Sequence, residues 1–219
     1  MRNFKCCICC AIWVSFAVSA TAAERGWNLR VFAAGLDPNL SEPIVNDDGD
    51  DIDVTGGTDL GLGASLEYQF TDLLGLEFGG FWGSPEIELS ADIPGFVLSV
   101  TDEMSTSIIT LDLNFHLTPN SRSIDFYLGA GVAHLAYGDL FYQVDEDEVL
   151  DITIDSDLTW SAKANVDVAL GQSSNWIAFG GLRYIWSNLV ATPADDPANS
   201  SETFEFNIFS FSVGIGYRF

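Results

Sequence analysis

Apolar and polar residues alternate with a period of two along most of the chain. The alternation is clearest over residues 209–219, where every second position from Phe209 to Phe219 carries an apolar or aromatic side chain. A period of two is typical of β-strands that present one apolar face. Seven further segments show the pattern: 27–35, 59–70, 75–82, 107–117, 124–142, 153–171 and 176–188. The chain is therefore predicted to contain eight strands.

The connections between these strands alternate in length. Short polar turns are predicted at 71–72, 119–123 and 172–175, and long loops at 36–58, 84–106, 143–155 and 189–202. Short turns at one end and long loops at the other are typical of transmembrane barrels. After residue 23, no apolar stretch approaches the roughly 18 residues that a membrane helix needs.

Aromatic residues lie near the predicted strand ends, as they do at the two interfaces of a membrane barrel. Those near the short turns are Trp27, Tyr68, Phe70, Trp176, Tyr217 and Phe219, and those toward the long loops are Trp82 and Trp186. A sheet that meets lipid must close, because each unpaired backbone group in hydrocarbon costs several kcal/mol. We therefore predict an all-β fold, an eight-stranded antiparallel up-and-down transmembrane β-barrel. A soluble β-sandwich would explain the alternation but not these aromatic strand ends.

Residues 1–23 have the composition of an export signal. Arg2 and Lys5 supply positive charge, residues 6–18 form a short apolar core, and residues 20–23 are small. We predict a cleaved signal peptide at 1–23 and one outer-membrane β-barrel domain at 24–219, reached by Sec-type export. All four cysteines lie in the signal, so the mature chain is expected to have no thiol chemistry.

The mature chain is strongly acidic, because 32 acidic but only six basic residues follow residue 23. Nucleic acid is therefore excluded as a partner. Much of the acid lies in the long connections, notably at 47–53 and 145–148. Carboxylates bind Ca²⁺ and Mg²⁺, but the spacing fits no EF-hand, and a hydrated surface is the commoner role of such runs. The expected surroundings are outer-membrane lipid and lipopolysaccharide, with divalent cations as possible partners of the loops.

Charged residues within the predicted strands fall on the face opposite to the lipid. They are Arg30, Lys163, Arg183 and Arg218 together with Glu67, Glu77, Asp112, Asp125 and Asp167. The interior of an eight-stranded barrel is barely wide enough for side chains, and unpaired buried charge is costly. We therefore predict an ion-paired plug in the lower lumen.

Toward the long loops, the positions that face the lumen become apolar. They are Phe32, Phe81, Ile108, Leu135, Tyr137, Ile185, Phe206 and Ile208. This change predicts an apolar pocket above the plug. Packing between the loops and the barrel is the alternative interpretation, since apolar interiors are often simply core.

Short sequences spread over the whole mature chain match a known family in order and spacing. They are Arg30, Phe70-Thr71-Asp72, Gly75-Leu76-Glu77, Ser84-Pro85, Tyr127 to Gly131, Asn175-Trp176 and Ser212 to Phe219. With them the chain resembles the OmpW family of eight-stranded outer-membrane barrels, which includes AlkL-type proteins. The resemblance implies an apolar channel that releases small molecules sideways into the membrane, with Pro85 at the lateral opening. The loops are more acidic than in the family, so loop contacts are not carried over.

Enzymatic chemistry finds little support. His116 and His134 lie on separate strands with opposite predicted facing, and no mature cysteine is present, so neither a catalytic triad nor a transition-metal site forms. No catalytic residue, metal or cofactor is expected. Two functions remain: passive uptake of small hydrophobic molecules with lateral release, or a structural or surface-interaction barrel with a closed lumen and acidic loops that bind ions or partners.

Overall fold

Sixteen β-strands occupy the part of the chain that the computed structural model describes, which comprises residues 26–39, 43–45, 51–93, 96–118, 123–138, 140–143, 149–171, 174–193 and 202–219. Eight of them close into a barrel: β1 (Trp27–Asn39), β4 (Asp59–Gln69), β5 (Leu74–Gly83), β8 (Thr106–His116), β9 (Ile124–Tyr137), β12 (Asp157–Ala169), β13 (Trp176–Trp186) and β16 (Asn207–Arg218). Each pairs antiparallel with its two neighbours. The predicted barrel is confirmed.

The other eight strands lie outside the barrel. Most of them fall in segments that we predicted to be loops, and there the prediction was wrong, whereas the strand Leu140–Gln143 falls largely within the predicted strand 124–142. The eight strands are β2 (Pro43–Val45), β3 (Asp51–Gly56), β6 (Glu86–Ile93), β7 (Phe96–Glu103), β10 (Leu140–Gln143), β11 (Val149–Ile154), β14 (Asn188–Pro193) and β15 (Glu202–Glu205). They form two four-stranded sheets at the long-connection end. Accordingly, the predicted strand 124–142 breaks after Tyr137, and the barrel strand predicted from 153 begins at Asp157. Acidic content suggested loops, but these strands extend hairpins whose pairing the barrel has already set.

The wall of the barrel presents its apolar side chains outward. On β8, Ile109, Leu111, Leu113 and Phe115 are 45–51% exposed, whereas the alternate side chains are at most 2% exposed. The same alternation exposes Trp27 and Leu29 on β1. Strong, regular exposure of large apolar groups is costly in water and favourable in lipid. The predicted inward and outward faces are therefore confirmed.

Aromatic side chains gather at the two ends of the wall. Near the short turns, the Trp27 and Tyr68 rings lie 4.7 Å apart and the Trp176 and Tyr217 rings 5.1 Å apart. At the other end, Trp160 pairs with Trp186 across β12 and β13. Such pairs are the interfacial belts of a membrane barrel. No helix within the described ranges is long and apolar enough to cross a membrane.

The barrel closes along a seam between β1 and β16. Their register runs without a break from Asn28 opposite Arg218 to Asn39 opposite Asn207. The amide of Phe219 adds a hydrogen bond to the carbonyl of Trp27 at 2.9 Å. The two strands thus leave no edge open to lipid at this seam.

The first short turn is held by a threonine. The Thr71 hydroxyl accepts hydrogen bonds from the amides of Leu73 at 3.2 Å and Leu74 at 2.8 Å, which tightens the chain between β4 and β5. The other two predicted turns fall partly outside the described residues, at 119–122 and 172–173. The predicted signal at 1–23 lies wholly outside them.

Candidate functional site

A buried arginine forms the centre of the lower lumen. The guanidinium of Arg30 lies 2.9 Å from Glu67, 3.2 Å from Glu77 and 2.9 Å from Asp167, measured between nitrogen and oxygen. Arg30 as a whole is 1% exposed. The three carboxylates come from β4, β5 and β12, so one side chain ties three strands of the wall to β1. A buried cation needs this many partners because its own desolvation is costly.

The remaining predicted charges extend this cluster across the barrel. Lys163 Nζ lies 2.7 Å from Glu77 and 3.2 Å from Asp112, and Arg183 lies 2.7 Å from the same Asp112. Arg218 contacts Asp167 at 3.4 Å and is partly exposed. The structure therefore brings the predicted lumen charges together in one network.

His116 and Asn114 belong to the same network, although neither was predicted to take part in it. His116 Nε2 lies 3.0 Å from Glu67 and its Nδ1 lies 2.8 Å from Asp125, which joins Asp125 to the cluster. The Asn114 amide donates to Glu67 at 2.7 Å and to Glu77 at 3.1 Å. Their signal in the sequence was a lumen-facing position on the same strand as Asp112. The nine predicted charged residues with His116 and Asn114 are called the ion layer below.

Aromatic rings cover the central arginine. The guanidinium carbon of Arg30 lies 5.2 Å from the ring centroid of Tyr127 and 5.9 Å from that of Phe179. Tyr127 also stacks on His116, with centroids 5.0 Å apart, and its hydroxyl lies 3.5 Å from Asp167. Such cation–π contacts strengthen when the groups are shielded from water. Tyr127 therefore stabilises the ion layer.

Above the ion layer, the lumen is apolar and filled. Six of the eight predicted apolar residues are at most 3% exposed, and Phe32 and Tyr137 pack against them. They form one cluster with Ala34, Leu36, Ile87, Met104, Ala133, Ile154 and Leu189. This set is called the apolar layer below. Because Ile108, Leu135 and Ile185 are fully buried, the layer closes the lumen in this structure.

A small cavity lies between the two layers. Its lining includes Arg30 and Lys163 of the ion layer and Phe32 and Phe81 of the apolar layer. The space open to the centres of water-sized groups is about 30 Å³. The cavity, called the interlayer cavity below, is too small for a whole drug-sized ligand.

Pro85 lies at a weak point of the wall. The register of β5 with β8 continues into that of β6 with β7, which places Pro85 opposite Met104. The Met104 amide donates to the Pro85 carbonyl at 3.0 Å, but proline has no N–H to return a bond to the Met104 carbonyl. The Thr106 hydroxyl donates to that carbonyl instead, at 3.1 Å. A side-chain bond thus replaces one ladder bond, and the wall is closed at Pro85.

A cleft indents the outer side of the wall beside this point. Its volume is about 360 Å³, and it is lined by Trp82, Gly83, Ser84, Ser105, Thr106, Ser107, Ala136, Tyr137 and Gly138. Tyr137 also packs against the apolar layer, where its ring lies 5.6 Å from that of Phe206. This cleft is called the rim cleft below. Tyr137 and Thr106 therefore lie between the lumen and the rim cleft. Sequence alternation marked Tyr137 as a lumen residue but did not reveal this second contact.

Metal binding was expected, if anywhere, in the acidic loops. Among the described residues, no group of three or more His, Cys, Asp or Glu is arranged to hold a metal ion. The side chains of the acidic clusters at 47–53 and 145–148 lie outside the described set. Ion binding by those loops stays a prediction.

A closed antiparallel barrel with an apolar wall, aromatic belts and a charged interior is the architecture of an integral outer-membrane protein. The family model for the outer membrane protein beta-barrel domain matches residues 8–219. The chain belongs to this family and is a protein of the bacterial outer membrane.

Solved structures with the same fold are distant in sequence. The outer membrane protein OprG from Pseudomonas aeruginosa is 16% identical with a TM-score of 0.67, and the match covers 89% of this chain and 96% of that one. The outer membrane protein AlkL is 20% identical with a TM-score of 0.60, and the match covers 93% and 94%. The predicted OmpW and AlkL type of barrel is thus confirmed as a fold. A search of curated protein sequences found no significant match.

Proposed function

We propose that this barrel mediates passive uptake of small hydrophobic molecules, which enter the apolar layer from outside and leave sideways into the membrane. One observation carries the proposal: Tyr137 touches both the apolar layer and the rim cleft, at the place where Pro85 removes a ladder bond. The lumen and the rim cleft are therefore separated by little more than one side chain and one weakened strand pair.

The ion layer favours an exit for the transported molecule through the barrel wall over a path along the barrel axis. Its cations are each held by at least one carboxylate, and its central residues Arg30, Glu67 and Asp112 are at most 1% exposed. Opening an axial path would break several buried ion pairs at once and leave their charges uncompensated, which is costly. Parting β5 from β8 near Pro85 breaks far fewer bonds. The resemblance to the OmpW family implies the same route.

Replacing Pro85 by valine should slow uptake of octane. The restored N–H can donate to the Met104 carbonyl, and a net gain of about 0.5–1.5 kcal/mol for one hydrogen bond makes opening roughly two- to tenfold rarer. Thr106→Val should act in the opposite direction, because it removes the hydroxyl that now holds that carbonyl. Uptake of labelled octane by whole cells measures both variants.

Pro38→Val is the matched control, since Pro38 lies in β1 opposite Ile208, away from the rim cleft. The amount of folded barrel is checked for every variant by heat-dependent migration on gels. Uptake that is the same in wild type, Pro85→Val, Thr106→Val and cells without the barrel would exclude transport.

The second candidate function is a structural or surface-interaction barrel with a closed lumen. The full burial of Ile108, Leu135 and Ile185 favours it, because no channel is open at their level. On this candidate, lipopolysaccharide and divalent cations would be the partners of the acidic loops. Leu135→Trp discriminates, since narrowing the apolar layer should slow octane uptake only if molecules pass through it.

A further inference from the structure

The interlayer cavity is lined by polar groups that take no part in the ion pairs of the ion layer. Ser65, Thr110 and Ser210 line it and are 6%, 2% and 4% exposed. Within the described part of the chain, no other side chain forms a hydrogen bond with their hydroxyls. The Nε of Arg30, which also lines the cavity, is buried without a partner. Buried donors without acceptors are costly, so these groups call for an occupant that accepts hydrogen bonds.

The size of the cavity limits that occupant. About 30 Å³ open to the centres of water-sized groups gives room for two or three non-hydrogen atoms. A glycine keeps the space open: a Cβ at Gly79 would lie 3.1 Å from Cβ of Ser65 and 3.2 Å from the Thr110 hydroxyl. The rings of Phe32, Phe81 and Phe179 border the same space. The occupant is thus the small polar end of a molecule whose remainder lies among apolar side chains.

The charges nearby exclude an anionic end. Arg30, Lys163 and Arg183 line the cavity, but each is already paired with at least one carboxylate. The ion layer holds five carboxylates against four permanent cations and His116, whose two ring nitrogens both contact carboxylates. An added anion would have no free positive charge to meet, and uncompensated charge in a low-dielectric interior is costly.

We propose that the lumen prefers uncharged amphiphiles, with the hydrocarbon chain in the apolar layer and one carbonyl or hydroxyl oxygen in the interlayer cavity. There the oxygen accepts hydrogen bonds from Ser65, Thr110 and Ser210. This preference names the substrate class of the proposed uptake function and rests on it. Medium-chain ketones and alcohols fit it, whereas alkanes lack the oxygen and carboxylates carry the excluded charge.

The test compares uptake of octane, 2-octanone and octanoate by cells that carry the barrel. Wild type should take up 2-octanone faster than octane and octanoate slowest. Thr110→Val and Ser210→Ala should each lower the ratio of 2-octanone to octane uptake about two- to tenfold, the effect of one lost hydrogen bond. Ser123→Ala, which removes an exposed hydroxyl just before β9, is the control and should leave the ratio unchanged.

Binding is measured separately on the purified barrel in lipid nanodiscs. The carbonyl stretching band of bound 2-octanone should lie at lower frequency in wild type than in the Thr110→Val and Ser210→Ala double variant. If octane enters through the barrel but the variants change neither the ratio nor the band, the proposed preference is wrong while uptake stands. If octane uptake does not depend on the barrel, uptake itself fails. Octanoate uptake equal to that of 2-octanone would overturn the charge argument.

Discussion

Arg30→Leu should lower the free energy of unfolding of the barrel by about 3–5 kcal/mol, the cost of removing one partner from a buried ion pair. The loss leaves Glu67, Glu77 and Asp167 with less positive charge, and all three are at most 4% exposed. Urea titration in lipid vesicles, followed by tryptophan fluorescence, measures the change. Because three strands lose their common contact, this is the largest effect expected of a single substitution here.

Arg218→Leu is the matched control, because Arg218 makes one contact at 3.4 Å and its side chain is 31% exposed. It should cost less than about 1 kcal/mol. The double variant Arg30→Leu with Glu67→Leu should recover part of the loss, since one unpaired carboxylate is removed with the cation. Equal costs for Arg30→Leu and Arg218→Leu would show that the ion layer does not stabilise the barrel.

Leu111→Arg should destabilise the barrel by about 2–4 kcal/mol, the cost of a lipid-facing charge at the bilayer midplane. Leu111 is 45% exposed and pairs with Phe78. It lies midway along β8, between Ser107, which pairs with Trp82 of one aromatic belt, and Phe115 near the other. An arginine at that depth cannot reach water on either side of the membrane.

Leu60→Arg provides the comparison. Leu60 is 72% exposed and lies near the upper end of β4, beyond the rung that pairs Leu62 with Trp82. At that level an arginine reaches the headgroups, and its cost should fall to about 0–1 kcal/mol. The same vesicle titration serves for both. If Leu60→Arg cost as much as Leu111→Arg, the position of the membrane along the strands would have to be shifted toward the long connections.

Strands and faces could be predicted because lipid on one side and a crowded lumen on the other impose a strict alternation on every barrel strand. Most of the strands outside the barrel were missed for the converse reason. Beyond the membrane a strand has no lipid face, so acidic residues in segments such as 86–93 are compatible with strand as well as loop.

The contacts within the ion layer could not be predicted from the sequence. Alternation predicts which side chains face the lumen, but which charged side chains contact each other depends on the tilt and stagger of the strands. Arg30 on β1, for example, contacts Asp167 on the distant strand β12. Alternation alone makes Asn114 a tolerant lumen position, whereas the structure bonds it to Glu67 and Glu77. The interlayer cavity was equally hidden, because it arises where small residues of several strands reach the same height.

The seam between β1 and β16 has a consequence for how the protein comes to be made. β1 and β16 pair edge to edge in the barrel wall, with Asn28 opposite Arg218. During synthesis, however, β1 is the first of the barrel strands to be made and β16 the last. Until β16 arrives, β1 and β13 both expose a row of unsatisfied amides and carbonyls that hydrocarbon does not tolerate. The unpaired strands must therefore be shielded from lipid during assembly, until the last barrel strand, β16, pairs with the first, β1, in a single final step.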